Sequence, residues 1–244
     1  MKKQTFIGTS GWHYKHWKNN FYPQKITPQN WLEYYASFFN TVEINKTFYS
    51  LPSKKEVKNW YEKTPNKFIF SVKLNRYITH IKKLNISKEN IDKFFDNISL
   101  LKSKLGIILI QLPPSLKYNK DKLDKFLKII PKNYNYAIEL RNKTWLNNEA
   151  YEILRKNNIT FCINDFPGIK TDTIKTSNST YIRFHGWKKL YGGIYPAEFL
   201  KKWVQFIKAQ NFEKVYIYFN NDENANAVKN AFEMKENLKS IDCL

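Results

Sequence analysis

The stretch TYIRFHG, Thr180 to Gly186, decides how the rest of the chain is read. As a β-strand it puts Ile182 and Phe184 on one face and Tyr181, Arg183 and His185 on the other, because successive side chains alternate. The apolar face suits a layer of helices. The other face carries an arginine and a histidine and suits the interior of a barrel. A slip of one residue would set Ile182 and Phe184 against the wrong layer. The arginine is telling: of 41 basic residues, only Arg76, Arg141, Arg155 and Arg183 are not lysine.

Seven further runs rich in β-branched and aromatic residues read as strands: TFIGTS (5–10), TVEINK (41–46), FIFSVKL (68–74), LGIILIQL (105–112), YAIELR (136–141), TFCINDF (160–166) and VYIYFNN (215–221). Amphipathic helical segments lie between them. PQNWLEYYASFF follows Thr27, a suitable N-cap. SKKEVKNWYEKT opens on Ser53 with Glu56 three residues on, a capping box, and SKENIDKFFDNISLLKS opens the same way with Ser87 and Asn90. Residues 167–179 are too polar to assign as a helix. Eight strands alternating with helices in 244 residues predict an α/β fold, a single-domain (β/α)8 TIM-type barrel over 1–244 with an irregular connection between strands six and seven. An open doubly wound sheet fits less well, because no Gly-rich phosphate loop follows the first strand. The long connections 11–26, 75–86 and 186–195 all follow strands and are expected to crowd the C-terminal rim.

The parity of the seventh strand recurs. Glu43 and Asn45 oppose Val42 and Ile44; Ser71 and Lys73 oppose Phe70 and Val72; Glu139 and Arg141 oppose Ile138 and Leu140. Gln111 faces in, Asp165 shares the face of Ile163, and Asn220 shares that of Tyr216 and Tyr218. From the second strand to the eighth the inward face turns polar toward the C-terminal end, where barrels build active sites. Structural ion pairs could explain any one of these residues; seven strands agreeing favours a site. The candidate catalytic residues are Glu43, Glu139, Asp165 and His185, the last able to move a proton near neutral pH. The candidate substrate-binding residues are Lys73, Arg141, Arg183, Asn45 and Asn220 from strands, Trp12 and His13 from the aromatic N-terminal loop, and Tyr191 from the glycine-bearing LYGGIYP (190–196). Arginine at 141 and 183 supplies a planar, permanently charged fork for carboxylate or phosphate. Arg183→Lys is therefore expected to harm ligand binding while leaving the fold intact.

No window approaches about 18 consecutive apolar residues, so no membrane span is expected. The N-terminus MKKQTFIGTSGWHYKHW lacks an apolar signal region, which points to a cytoplasmic protein. Cys162 and Cys243 have no CxxC spacing, and no HExxH occurs, so neither a structural zinc nor another cofactor is expected. The one allowance is a single divalent metal ion on carboxylates and His185. The net charge of +20 admits a nucleic-acid partner. The abundance of Lys, Asn, Ile, Phe and Tyr, all with A/T-rich codons, accounts for it better, since the lysines are scattered through the helices.

Taken together, IGTSGW, NTVEINKTFYSLP, VKLNRYITH, QLPPS, ELRNKTW, Asn164-Asp165, YIRFHGW, LYGGIY and YFNNDENANAVKNA make a specific set running nearly end to end. The chain resembles the YecE-like proteins, the family called domain of unknown function number seventy-two. The resemblance implies a TIM-barrel fold, distantly like the endonuclease IV and sugar-isomerase barrels, and assigns no reaction. Lys46 stands where a small or amide residue is expected, and Leu74-Asn75 replaces a more usual Ala-Pro.

Three functions compete. The first is an enzyme, hydrolase- or isomerase-like, acting on an anionic small molecule such as a sugar or phosphorylated metabolite. In it Arg141, Arg183 and Lys73 hold the anion while Glu43 or Glu139 moves protons with His185. The second is a nucleic-acid binder or endonuclease IV-like phosphodiesterase, which would want more inward histidines than His185. The third is a non-catalytic ligand-binding barrel. A lysine Schiff base on Lys73 is a variant of the first, since a neighbouring cation would depress its pKa.

Overall fold

The chain's eight strand segments form eight strands: β1 Gln4–Thr9, β2 Thr41–Ile44, β3 Ile69–Lys73, β4 Leu105–Leu112, β5 Asn135–Leu140, β6 Thr160–Asn164, β7 Ser179–Phe184 and β8 Lys214–Phe219. The computed structural model describes residues 3–169 and 171–239, so Cys243 lies outside the described residues. All strand pairs are parallel, in the order β1-β8-β7-β6-β5-β4-β3-β2. Parallel neighbours need long crossovers, which the intervening helical segments supply. The helices are α1 Trp31–Phe38, α2 Lys46–Tyr49, α3 Lys54–Glu62, α4 Lys88–Ile98, α5 Lys120–Ile129, α6 Asn148–Lys156, α7 Ala197–Ala209 and α8 Asn226–Lys239. Among the described residues between β6 and β7 there is no helix, as the polarity of that segment predicts.

Alternation along the strands separates two apolar layers. Val42, Ile44, Phe70, Val72, Ile138, Leu140, Ile182 and Phe184 point outward and join the helices in the main core. Ile107, Leu109, Ala137, Cys162, Tyr181, Tyr216 and Tyr218 fill the inside of the barrel. Above them the inward positions become Ser10, Glu43, Lys73, Gln111, Glu139 and Arg183, all buried. The barrel is thus apolar at its waist and charged near its C-terminal end.

The ring closes between β1 and β2 through one isolated bridge, Ser10 to Glu43. The Tyr35 hydroxyl of α1 completes this seam. It accepts from Thr9 N at 2.9 Å and donates to the Thr41 carbonyl at 3.1 Å, standing in for a strand-to-strand bond. The close approach requires Gly8, since a Cβ there would collide with the Thr41 carbonyl and the Tyr35 hydroxyl.

Local details refine the sequence reading. Ser53 caps α3 by accepting from Glu56 N at 3.2 Å, but the Glu56 carboxylate turns to Lys46 at 2.5 Å instead of closing a capping box. Thr27 makes no side-chain cap; it precedes a 3-10 turn, Pro28–Asn30, that leads into α1. Ser87 likewise caps no backbone amide, and its hydroxyl accepts from Asn90 at 2.8 Å. After β3, Leu74 is buried and Asn75 secures the loop, donating to the Thr47 carbonyl at 3.0 Å and accepting from Tyr77 N at 2.9 Å. No helix among the described residues is long and apolar enough to cross a membrane.

Candidate functional site

Arg183 organises the charged layer. Its side chain is 1% exposed. The guanidinium donates to both oxygens of Glu43, from Nε at 2.9 Å and Nη2 at 2.7 Å, and from Nη1 to Glu139 Oε2 at 2.6 Å. Ser10 and Tyr181 each donate a hydroxyl to Glu43. Glu139 Oε1 accepts from Gln111 at 3.0 Å and Arg141 Nε at 2.6 Å. Burial alone would raise both carboxyl pKa values; Arg183 outweighs it at Glu43, and Arg141 with Arg183 does so at Glu139, so both are held below the usual range. Both acids are therefore ionised and fully engaged in holding arginines.

His185 lies in the same layer, with no exposed side-chain surface. Burial, aided by Arg183, pushes its pKa down to about 4. The ring is therefore neutral near pH 7, the form that accepts a proton. The tautomer with hydrogen on Nε2 suits its surroundings, facing Glu139 Oε1 at 3.5 Å while Nδ1 faces the Asn220 amide at 3.4 Å.

Above this layer opens a cleft of about 470 Å³ at the C-terminal mouth. Lys73, Arg76, His80, Arg141 and an edge of Arg183 line it, with Tyr14, Asn45, Phe48, Tyr49, Gln111, Tyr191, Asn220 and Asp222. The loops after β1, β3 and β7 contribute Tyr14, Arg76 with His80, and Tyr191 respectively. Arg141 lies on the face of Phe166, 3.9 Å from the ring centre, and its two Nη groups make no hydrogen bond among the described residues. Lys73 Nζ sits over Phe48 at 3.9 Å and meets no carboxylate among the described residues. Burial, aided by Arg183, lowers its pKa to about 7. Burial and then Lys73 lower His80 to about 4. Arg141 and Arg183 balance Glu139 and Glu43, and Asp222 lies 3.3 Å from His16. Arg76, and Lys73 in its protonated fraction, pair with no carboxylate among the described residues, and Asp222 is the one further carboxylate lining the cleft.

Three candidates lie elsewhere. Asp165 does not enter the barrel, and the reason is the alternation itself. Asn164 pairs with Arg183 in the β6–β7 register and faces inward, so Asp165 turns out. There it accepts from His185 N at 2.6 Å and from the Tyr195 hydroxyl, bracing the end of β7. Trp12 and His13 line a neighbouring cleft of about 600 Å³ with Leu32, Glu56, Asn59 and Trp60. Trp12 packs edge-on to Trp60 and His13 against Trp31, which draws the loop toward α1 and α3 rather than over the mouth. Asn45 and Tyr14 line both clefts. Arg76 and His80 stand out in the sequence as additions from NRYITH after the third strand, though not among the candidate site residues; Ser10 and Phe48 do not stand out. Arg76 carried the same signal as the other arginines, rarity in a lysine-rich chain. Among the described residues no three His, Cys, Asp or Glu side chains converge as a metal site would require.

The model of the family described as protein of unknown function DUF72 matches residues 6–242. YunF of Bacillus subtilis strain 168, a UPF0759 protein, is 27% identical over 268 residues, spanning 96% of this chain and 94% of YunF. YecE of Escherichia coli K12, also a UPF0759 protein, is 32% identical over 138 residues, spanning 56% of this chain and 48% of YecE. The crystal structure of a DUF72 family protein from Thermotoga maritima MSB8 superposes with a TM-score of 0.86 at 32% identity, covering 97% of this chain and 99% of that one.

Proposed function

The chain belongs to the DUF72 family, and on that footing we propose that it is an enzyme whose barrel mouth takes up an anionic small molecule, a sugar or other metabolite bearing phosphate or carboxylate. The observation that carries this reading is the charge balance of the cleft. Glu43 and Glu139 are consumed by Arg183 and Arg141, while Arg76, the Nη edge of Arg141 and Lys73 in its protonated fraction line the cleft with no carboxylate partner, and Asp222 is the only other acid in its lining among the described residues. Cations gathered in a partly dry cleft repel one another, and an anionic ligand relieves that repulsion. A guanidinium held by one edge on Glu139 and backed by Phe166 is already oriented, so little rotamer freedom is lost when the other edge meets an anion.

In this reading Arg141 and Arg76 grip the anion, and Asn45, Asn220 and Tyr191 meet the polar remainder of the ligand. Glu43 and Glu139 act by fixing the arginines, and neutral His185 helps orient Glu139. Asp165 acts at one remove, by bracing the backbone of His185. A nucleic-acid partner draws less support, since lysines lie on α3, α4, α5, α7 and α8 around the barrel.

Titration calorimetry with inorganic phosphate and with phosphorylated sugars tests the proposal. Saturable binding that weakens with added salt is expected. Arg141→Gln should weaken it by about tenfold or more, the worth of a charge-assisted hydrogen bond. Absence of binding by every anion tried, in a folded protein, would sink the reading.

A further inference from the structure

We infer that Lys73 is a covalent nucleophile, and that its amine forms a Schiff base with the aldehyde or keto group of a small anionic substrate held in the barrel mouth. This rests on the anion-binding reading above and names the substrate class: an anion carrying a carbonyl group.

A contrast between two lysines motivates it. Lys104 is 2% exposed, and its Nζ is fully satisfied by the Tyr61 carbonyl and by the carbonyl and hydroxyl of Thr64. That is how a structural buried lysine is expected to look. Lys73 is 8% exposed, its Nζ makes no hydrogen bond or ion pair among the described residues, and it lines the cleft. Its backbone is fixed, because the Lys73 carbonyl accepts from Thr47 Oγ1 at 2.7 Å and Leu74 N bonds the Leu109 carbonyl at 2.9 Å. A rigid strand therefore holds an unsatisfied amine beside Arg76 and Arg141. The amine's low pKa makes the neutral, nucleophilic form abundant near pH 7.

The surroundings suit the covalent step. The lone pair of Nζ attacks the carbonyl carbon, and the carbonyl oxygen takes up a proton to give a carbinolamine. That hydroxyl then leaves as water, taking one further proton, and nitrogen keeps one of its own. The product is a protonated imine, and one water is released for each ammonium and carbonyl consumed. The cation formed lies on the face of Phe48, which attracts positive charge. Glu43 and Glu139, both ionised beneath the cleft, favour it further. The anion of the substrate places the carbonyl, with Arg141 and Arg76 as its anchors.

The test is reductive trapping. The full chain is incubated with pyruvate or with dihydroxyacetone phosphate, sodium borohydride is added, and intact mass and peptide maps are recorded. One adduct per chain is expected, on the peptide carrying Lys73. It should be absent in Lys73→Arg and Lys73→Met, each checked for folding by circular dichroism, and suppressed by excess inorganic phosphate. At neutral pH, Lys73 should label on the order of a hundredfold faster than surface lysines. Failure to trap either probe, or adducts spread over surface lysines and undiminished in Lys73→Arg, overturns the inference. Phosphate calorimetry on the same preparation separates the two readings: binding without an adduct removes the Schiff base and leaves the anion site standing, whereas neither binding nor adduct removes both.

Discussion

Arg183 and Glu43 stand 140 positions apart on β7 and β2, yet share two parallel hydrogen bonds of 2.9 and 2.7 Å inside the barrel. The same guanidinium reaches Glu139 on β5 at 2.6 Å, so one side chain ties three strands together. The sequence reading expects Arg183→Lys to spare the fold. The geometry changes that expectation, because one ammonium cannot serve two carboxylates in this fork. Arg183→Lys should destabilise the protein by about 3 kcal/mol, near the cost of breaking a buried pair. Chemical denaturation measures it, and an unchanged midpoint would count against a holding role for Arg183.

Acid should weaken the fold in two stages. His185 has an ordinary pKa of 6.5 and a folded one of about 4. Its contribution is complete above pH 6.5 and is lost as pH falls toward about 4, because the unfolded chain binds the proton first. Glu43 and Glu139 are held below their ordinary value of 4.5, so their contribution is present above that pH and is lost at still lower pH. Denaturant midpoints across this range should fall from about pH 6.5 downward. In His185→Gln the upper stage should shrink by about 3 kcal/mol, the worth of that pKa depression.

Lys73 gives the opposite wing. Its folded pKa of about 7 lies below the ordinary 10.5, so stability should rise with pH between these values. Lys73→Met should remove that rise and stabilise the protein at neutral pH by up to about 4 kcal/mol, the worth of that pKa depression. Thermal melts at neutral and alkaline pH test both effects.

The barrel and much of its charged layer are legible in the sequence because both follow from a period of two. Once Ile182 and Phe184 face the helices, Arg183 faces inward, and the same rule delivers Glu43, Lys73, Gln111 and Glu139. The rule also places Asn164 inward beside Arg183, so Asp165, counted from the sequence among the inward acids, faces out with Ile163. The depth of each group is not legible. His185 and Tyr191 both follow from β7, yet one is fully buried and the other lines the open mouth. Loop paths are not legible either. Trp12 and His13 follow Trp60 and Trp31 into a side cleft, a matter of distant packing partners. Ser10 looks like any serine until β1 meets β2.

Tyr35→Phe offers a check on the β1–β2 seam. It leaves the Thr9 amide and the Thr41 carbonyl without the hydroxyl that joins them, both buried. A loss of about 1–3 kcal/mol is expected, the cost of unsatisfied buried polar groups. Urea unfolding of the variant measures it, and a change within error would show that the seam closes without the hydroxyl.

A closed barrel normally has no strand edges to offer a neighbour. This one hides its two edges with one bridge, a close approach at Gly8, the Tyr35 hydroxyl and the Asn40 amide, which donates to the Thr5 carbonyl at 3.1 Å. Its protection against edge-to-edge aggregation is therefore concentrated at one line of the ring. Partial opening along that line would present β1 and β2 as bare templates for strands of other copies. The clasp that assembles the charged mouth, Glu43 bound by Ser10 and Arg183, thus lies on the same line where those two edges meet.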